Sequence, residues 1–274
     1  VTFTLAGYEV CGFDVKAETV EILNRGKIHI VEPGLQEALT EAMATGRLHF
    51  TTTPEPADVF IIAVQTPYRE TEEHKRVSDM RFVESAAKEV GSVLRAGNLC
   101  VLESTSPPYS TRMVEKIVSE TSGLAPEQFM TAHCPERIIP GRMLIELREN
   151  DRIIGSNRPE SAQFAKEIYE KVVTGGAIRL TDDLTAEMCK LTENTFRDIN
   201  IAYANELSKV CDRLGIDVFK LIELANCHPR VNVHTPGVGV GGHCIAVDPW
   251  FIHEKFEDIT PLIYEARLVN DGKP

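Results

Sequence analysis

A chain of 274 residues with 43% hydrophobic content can bury the core of one large domain or of two ordinary ones. Its net charge of −12 argues against a broad surface for nucleic acid or anionic membranes, because such surfaces need clustered Lys and Arg. The sequence shows no apolar run of membrane-spanning length and no signal-peptide pattern, so neither feature is predicted.

The seven cysteines are scattered along the chain without C-x-x-C spacing. An odd number of unclustered cysteines in an acidic chain indicates reduced thiols, which predicts a cytoplasmic protein without disulfides. The same spacing predicts no structural zinc, and no metal is expected.

The first 182 residues alternate short apolar runs with helical segments, as successive strand–helix units do. The predicted strands are 8–14, 58–64, 99–103, 129–134, 152–154 and 178–180, and the predicted helices are 16–25, 33–45, 79–95, 111–119 and 160–172. This order predicts an α/β fold with a Rossmann-like, doubly wound, largely parallel sheet over residues 1–182. Ligands of such a sheet bind beyond the carboxyl ends of its strands, here near residues 14, 64–67, 103–105 and 134–136.

The glycine-rich phosphate loop that should precede Asp14 by about 20 residues is not in the sequence. Residues 1–6 instead resemble the end of the helix that follows such a loop. We therefore expect that the first, central strand of the sheet is missing and that the natural protein extends upstream of Val1.

From residue 183 onward the pattern becomes helical. Residues 183–214 contain neither Gly nor Pro and predict one helix of about 30 residues, roughly 45 Å long. Shorter helices are predicted at 218–226 and 261–270, so residues 183–274 are expected to form a second, all-helical domain.

Asp14 ends an early strand and is followed two residues later by Lys16. A carboxylate at that position can accept the ribose hydroxyls of NAD, and it would repel the 2′-phosphate of NADP. An equally good interpretation at this stage is a helix N-cap.

Lys190 and Asn194 are four residues apart on the long predicted helix, and Asp198 follows one turn later on the same face. A Lys and an amide beside a cleft can bind a hydroxyl, a developing oxyanion or a water. Taken alone, the pattern also describes a solvated polar stripe.

The stretch 237–249 carries four glycines in six residues, followed by His243, Cys244 and, one turn later, Asp248. A helix that begins near His243 would place Cys244 in its first turn, where the helix dipole favours a thiolate. The alternatives are that Cys244 is a small buried hydrophobe and that His243 is structural.

At this point the sequence resembles the UDP-glucose/GDP-mannose dehydrogenase family along almost its whole length. The matching segments are Glu32-Pro33-Gly34-Leu35, Thr66-Pro67, Ser104-Thr105, Cys134-Pro135-Glu136, Lys190 through Asn194, Asn205-Glu206 and Gly241-Gly242-His243-Cys244. Within the family, three stretches resemble the branch that oxidises UDP-N-acetyl-D-mannosamine: residues 134–141, 185–194 and 228–232. Pro140 stands where the UDP-glucose enzymes carry a glutamate, and the apolar pair Ile138-Ile139 stands where other UDP-N-acetylhexosamine enzymes usually carry acids.

The resemblance implies an NAD-dependent, four-electron oxidation of a sugar C6 alcohol to a carboxylate, with Cys244 as nucleophile. It implies that Lys190, Asn194 and Asp248 stabilise the oxyanion and organise water, and that Thr105 and Glu136 line the same cleft. It also implies cofactor contacts from Asp14, Lys16, Thr66 and Thr105. Substrate contacts are implied for Arg137, Lys190, Asn194, Arg230 and Gly241.

The resemblance further implies a homodimer built on the helical domain, in which Arg230 reaches the sugar nucleotide of the partner. Members of the family carry a C-terminal UDP-binding domain that this sequence lacks. We therefore expect these residues alone to be inactive and to bind NAD poorly. Pro108-Tyr109 departs from the family, which usually has a Gly in the place of Tyr109.

Three alternatives stay open from the sequence. The chain could act on another UDP-N-acetylhexosamine, since epimers differ by a few contacts of roughly 1–3 kcal/mol each. It could be a two-electron hydroxyacid dehydrogenase, which needs no thiol. It could also serve only as a dimerisation or sugar-nucleotide-binding module.

Overall fold

A computed structural model describes residues 1–72, 75–240, 242 and 244–273. The strands are β1 (Val10–Phe13), β2 (Leu48–Thr51), β3 (Val59–Ile62), β4 (Tyr68–Glu70), β5 (Arg76–Ser78), β6 (Leu99–Leu102), β7 (Met130–His133), β8 (Arg152–Gly155) and β9 (Ile178–Thr181). The helices are α1 (Thr2–Leu5), α2 (Ala17–Asn24), α3 (Leu35–Ala44), α4 (Arg81–Val93), α5 (Ser110–Ser122), α6 (Met143–Glu149), α7 (Pro159–Tyr169), α8 (Asp183–Leu214), α9 (Val218–Ala225), α10 (Asp248–His253) and α11 (Pro261–Asp271).

The chain divides into two compact units, neither of which is continuous in sequence. Unit 1 comprises Val1–Val64, Phe82–Ser104 and Thr111–Ala186. Unit 2 comprises Gln65–Arg81, Thr105–Ser110 and Glu187–Pro274. The predicted domain boundary at residue 182 stays a prediction, but two short segments from the first half of the chain clearly belong to the second unit.

Unit 1 holds the parallel strands that the sequence predicts. Five strands pair in the order β3-β6-β7-β8-β9, parallel except for the short β7–β8 contact, and β1 pairs with β2 in a separate parallel ladder. Among the described residues no ladder joins β1 to β3. The strand that the sequence predicts between them stays a prediction.

The core of unit 1 lies on the five-stranded sheet. All four residues of β6 are buried, as expected for a central parallel strand covered on both faces. Leu99, Val101, Ala132 and Ile154 pack against Tyr169 of α7. A second core, built from Leu39, Ala42 and Leu48, covers one face of the β1–β2 pair.

Unit 2 is organised by α8, which spans 32 residues as the lack of Gly and Pro predicts. Leu191 of α8 packs against Val247, Phe251 and Ile252, which lie in and just before α10. This contact fixes the chain around residue 248 against the middle of the long helix.

The predicted strands and helices are confirmed, with ends shifted by a few residues. The short or polar elements β2, α6 and the β4–β5 hairpin were not predicted from the sequence, and α10 begins at Asp248 rather than near residue 243. The elements that the structure describes within residues 183–274 are all helices, α8 to α11, as expected. The compact unit 2 also includes the β4–β5 hairpin from the first half of the chain, which pairs Tyr68 with Ser78. Within the described ranges, no helix is long and apolar enough to cross a bilayer.

Candidate active site

Helix α8 carries the first two residues of the candidate site. Lys190 and Asn194 are one turn apart and therefore lie on one side of the helix, next to the buried Leu191. Asn194 is buried, whereas Lys190 is half-buried. Because the Asn194 amide is buried, it is not part of a solvated stripe and needs a polar partner.

The partner of Asn194 is Asp248, the first residue of α10. Nδ2 of Asn194 donates a hydrogen bond of 2.5 Å to Oδ2 of Asp248. Asp248 is itself buried, and burial raises the pKa of its carboxyl to about 6, although Asn194 and Lys190 oppose the shift. A carboxyl with this pKa can exchange protons near neutral pH.

Cys244 precedes α10 in a tight turn. Its carbonyl oxygen accepts hydrogen bonds from the N–H groups of Val247 and Asp248, both at 2.9 Å. The side chain is exposed, so the alternative of a small buried hydrophobe is wrong. The turn holds the sulfur one turn ahead of Asp248, as predicted, on the segment that packs against α8.

The expectation that a helix N-terminus lowers the pKa of Cys244 is wrong. The nearest helix, α10, begins at Asp248 rather than near residue 243, so Cys244 lies outside its first turn. Partial burial and the Asp248 carboxylate raise the pKa of the Cys244 thiol, and the Lys190 ammonium lowers it. Both partners act electrostatically on the sulfur, so Cys244, Lys190 and Asp248 form one coupled group.

Asp198 does not belong to this group. Its carboxylate is fully buried, pairs with the guanidinium of Arg267 and accepts a hydrogen bond of 2.8 Å from Asn270. The 3.6-residue period places Asp198 correctly on the side of α8 that carries Asn194, but α11 covers it there. Asp198 is therefore a structural residue that holds α11 against α8.

Gly237, the first residue of the glycine-rich stretch, is held by Asn205 through a contact that was not predicted from the sequence. Oδ1 of Asn205 accepts a hydrogen bond of 3.0 Å from the N–H of Gly237, and its Nδ2 donates to Oδ1 of Asn270 at 2.9 Å. Asn205 and Asn270 are both buried. The signal for this role was present in the family-like Asn205-Glu206 pair, but the partners lie 32 and 65 residues away.

The loop after β6 joins the same unit. Oγ1 of Thr66 donates a hydrogen bond of 2.7 Å to the carbonyl oxygen of Thr105, which brings two predicted cofactor residues together. Farther along this loop, the N–H of Tyr109 donates to Oε2 of Glu187 at 2.7 Å, three residues before Lys190 on α8. Tyr109 has a φ of 76°, so it occupies the left-handed conformation that favours Gly.

Asp14 and Lys16 lie in unit 1, directly after β1. Oδ1 of Asp14 accepts a hydrogen bond of 2.8 Å from the N–H of Lys16, and the N-cap of α2 is Lys16 rather than Asp14. The N-cap interpretation of Asp14 is therefore wrong. The carboxylate is oriented at the carboxyl end of a parallel strand, where ligands of such sheets bind.

Glu136 and Arg137 also lie in unit 1, where neighbouring groups hold them. Oε2 of Glu136 accepts from Nη2 of the buried Arg152 at 2.9 Å, and Oε1 accepts from the N–H of Arg137 at 2.7 Å. Arg152 is also 3.8 Å from Glu103, whose carboxylate accepts a hydrogen bond of 2.5 Å from Tyr169. The Arg137 guanidinium donates to the carbonyl of Asp151 at 2.9 Å.

One predicted substrate residue is not brought into these groups, and a second lies outside the described residues. Arg230 is exposed after α9, and its N–H donates to Nδ1 of His228 at 3.3 Å. Gly241 lies outside the described residues, as does His243. The structure thus brings together Cys244, Lys190, Asn194 and Asp248 in unit 2, whereas Asp14, Lys16, Glu136 and Arg137 belong to unit 1.

A Rossmann-type unit followed by a long helix with a Lys–Asn pair and an exposed Cys defines a class of nicotinamide-dependent dehydrogenases. Residues 1–173 match the NAD binding domain of the UDP-glucose/GDP-mannose dehydrogenase family, and residues 184–272 match its central domain. The chain belongs to this family.

The relatives are similar over almost the whole chain. The sequence is 51% identical to an NDP-N-acetyl-D-galactosaminuronic acid dehydrogenase of Ralstonia solanacearum, over 97% of this chain and 64% of that protein. It is 50% identical to a UDP-N-acetyl-D-mannosamine dehydrogenase of Yersinia pestis, with the same coverage of both proteins. A solved structure of UDP-D-ManNAc dehydrogenase from Pyrococcus horikoshii matches with a TM-score of 0.93 at 40% identity, over 98% of this chain and 64% of that one. The chain spans 64% of the length of these two curated relatives.

Proposed function

We propose that the protein carrying this chain oxidises the C6 alcohol of a UDP-N-acetylhexosamine to a carboxylate, with NAD as oxidant and Cys244 as nucleophile. One observation carries the proposal. An exposed thiol, a Lys ammonium and a buried carboxyl of raised pKa interact in one unit, and a buried amide fixes the carboxyl. The thiol can act as a nucleophile, the ammonium can stabilise a developing negative charge, and the carboxyl can take a proton from water.

The residues of the chain have defined tasks in the reaction. A bound NAD would supply the hydride acceptor for both oxidations, that of the alcohol and that of its adduct with Cys244. After the first oxidation the Cys244 sulfur bonds to the aldehyde carbon, the carbonyl π electrons move to oxygen, and the thiol proton passes to that oxygen, which becomes a hydroxyl. The Lys190 ammonium stabilises that oxygen as its negative charge develops.

Release of the product needs a water and a leaving group. Loss of hydride from the tetrahedral adduct, with loss of its hydroxyl proton, leaves a thioester on Cys244. Water adds to the thioester carbon, the C–S bond breaks, and sulfur leaves with the bonding pair as a thiolate. Asp248, held by Asn194, accepts a proton from that water, which its pKa of about 6 allows at neutral pH.

The residues present are suited to NAD. The Asp14 carboxylate is fixed by Lys16 at the carboxyl end of β1, where it can accept bonds from ribose hydroxyls. The same negative charge disfavours a 2′-phosphate, which supports NAD over NADP. We assign further cofactor contacts to Thr66 and Thr105, which are hydrogen-bonded to each other.

The substrate we propose is UDP-N-acetyl-D-mannosamine. Support comes from the names of similar proteins and from the apolar pair Ile138-Ile139, of which Ile139 is exposed. Arg137, Arg230 and Gly241 are assigned to the sugar nucleotide. A galactosamine-type sugar is the second candidate, because a relative with that name is 51% identical.

We also propose a cytoplasmic homodimer that pairs through α8. Phe196, Tyr203 and Val210 repeat every seven residues on this helix, and their exposed fractions are 61%, 51% and 50%. Aromatic and aliphatic residues at this spacing form one stripe, which a second copy of α8 can cover. The free state of the described cysteines supports a reducing compartment.

A substrate panel on the whole protein tests this function. UDP-N-acetylmannosamine, UDP-N-acetylgalactosamine, UDP-N-acetylglucosamine and UDP-glucose are each incubated with excess NAD, and NADH is counted per sugar consumed. We expect two NADH per UDP-N-acetylmannosamine and the highest kcat/KM for that sugar. One NADH per sugar would mean a simple alcohol dehydrogenase, and a higher kcat/KM for the galactosamine compound would replace the substrate.

A further inference from the structure

The β1–β2 pair has a face that is not used by the proposed active site. Val10 and Phe50 point into the core formed with Leu39, Ala42 and Leu48. Because side chains alternate along a strand, Cys11 and His49 point to the opposite face. The parallel register places these two residues directly beside each other.

A third ligand-type residue approaches from the loop after β2. Nε2 of His49 lies 3.0 Å from Oε2 of Glu55. Burial and the Glu55 carboxylate both raise the pKa of the Cys11 thiol. The sulfur, the imidazole nitrogen and the carboxylate oxygen all lie within 4.8 Å of one another. In the part of the chain that the structure describes, no other group of three or more His, Cys, Asp or Glu side chains has this geometry.

We propose that Cys11, His49 and Glu55 form a binding site for a divalent transition metal ion of the zinc type. Thiolate, imidazole and carboxylate are the three protein ligand types of zinc, and one carboxylate is too few for a Mg²⁺ or Ca²⁺ site. Tetrahedral ligands at about 2.0–2.3 Å from zinc are about 3.5 Å apart, so small side-chain rotations suffice. His49 and Glu55 are exposed, which gives the ion a path of entry and leaves its fourth position to water.

The ion would join three segments of unit 1: β1, β2 and the loop that contains Glu55. Burial and the Glu55 carboxylate raise the pKa of the Cys11 thiol to about 11, so a cation that binds the thiolate must displace a proton. The role we assign is structural, because the site fixes the loop between β2 and β3 to the strands before it. This inference does not rest on the proposed oxidation, since none of its three residues takes part there.

Cobalt spectroscopy on this chain tests the site. Purified protein is stripped with a chelator and titrated with Co²⁺, and the near-ultraviolet thiolate-to-cobalt band is recorded. Zn²⁺ affinity is then measured by calorimetry. We expect one band that saturates at one Co²⁺ per chain and disappears on addition of Zn²⁺. The band should be lost in Cys11→Ser, and Zn²⁺ affinity should fall by about 100-fold or more in Cys11→Ser and His49→Ala, beyond the loss expected for an outer-shell partner.

Matched controls use the two exposed thiols of the described residues. Cys227→Ser and Cys244→Ser remove exposed cysteines elsewhere and should leave the band and the affinity unchanged. Circular dichroism checks that each variant is folded. Glu55→Gln, at an exposed position, is a second variant that removes one of the three proposed ligands. Absence of a thiolate band, or a band that survives in Cys11→Ser, overturns the proposal. If Cys244→Ser keeps the cobalt band and the Zn²⁺ affinity but loses sugar oxidation, the metal site and the proposed active site are independent of each other.

Discussion

The side-chain amide of Asn194 donates a hydrogen bond of 2.5 Å to the carboxylate of Asp248, and both side chains are buried. The pair joins the middle of α8 to the first residue of α10, across 54 positions of sequence. It holds a carboxyl group where its ionised form is unfavourable, next to the turn that carries Cys244. The buried carboxylate of Asp248 therefore lowers the stability of the protein while it supplies a base for the proposed reaction.

Replacing Asp248 with Asn should stabilise the protein at neutral pH. The folded-state pKa is raised from 3.8 to about 6, so the native state binds the proton more tightly than the unfolded state. The penalty for ionising the group is absent below the unfolded-state value and complete above about pH 6. Asp248→Asn should thus gain roughly 3 kcal/mol at pH 8 and little at pH 3.5.

Thermal unfolding of parent and Asp248→Asn at the two pH values measures this gain. Asp258→Asn, at an exposed position, controls for the loss of one negative charge. A lower Tm for Asp248→Asn at pH 8 would show that the carboxylate is favourable where it lies, contrary to the account.

The reactivity of Cys244 should shift in opposite directions when its two charged neighbours are removed. Asp248 raises the pKa of the thiol and Lys190 lowers it. The pH midpoint for iodoacetamide alkylation of Cys244 should therefore fall in Asp248→Asn and rise in Lys190→Met. Peptide mass spectrometry follows each site, and the exposed Cys227 serves as an internal reference. Shifts of the same sign, or none, would mean that the three groups are not coupled.

The protein should be more stable with Gly at position 109 than with Ala. At most positions Ala is better by about 0.4–1 kcal/mol, because Gly adds freedom to the unfolded chain. At a φ of 76° the left-handed conformation disfavours any residue with a Cβ by about 1–2 kcal/mol. We expect Tyr109→Gly to exceed Tyr109→Ala by about 1 kcal/mol in urea unfolding.

Gly123→Ala provides the matched control. Gly123 has a φ of 74° and no atom within 4 Å of an added Cβ, so the substitution tests conformation without a clash. It should destabilise by about 1 kcal/mol. Equal stability of Tyr109→Gly and Tyr109→Ala would remove the argument that this loop is held in a Gly conformation.

A charge in the α8 stripe should dissociate the proposed dimer. Tyr203→Glu places a carboxylate in the centre of the apolar repeat, so we expect the dimer Kd to rise by about 100-fold, as for a central interface residue. Sedimentation velocity over a concentration series measures it. Ile259→Glu, which changes a residue that is 70% exposed and off the stripe, is the control. A Tyr203→Glu protein that remains dimeric would place the interface elsewhere.

The parts of this structure that could be predicted from sequence are those that depend on the local pattern of residues. The uninterrupted run from Asp183 predicts α8, and a separation of four residues places Lys190 and Asn194 on one side of it. The strands of the large sheet are short apolar runs between turns, and they are found where predicted. The turn between Cys244 and Asp248 also follows from their spacing.

The rest depends on contacts between distant residues. Asp198 was expected beside Asn194, and only the packing of α11 shows that Arg267 and Asn270 take its carboxylate. The raised pKa of Cys244 follows from the true start of α10 and from the buried Asp248, neither of which a motif displays. The cluster of Cys11, His49 and Glu55 needs the β1–β2 register, because its members are up to 44 residues apart in a sequence without C-x-x-C spacing.

In the proposed reaction the sulfur of Cys244 bonds to the substrate, and replacing this sulfur with oxygen tests that step. Whole protein with Cys244→Ser is incubated with NAD and UDP-N-acetylmannosamine, and the sugar products are resolved by mass spectrometry. We expect uronic acid formation to be lost, with at most one NADH per sugar and aldehyde as the oxidised product. Uronic acid formed at the parental rate, with two NADH per sugar, would contradict it.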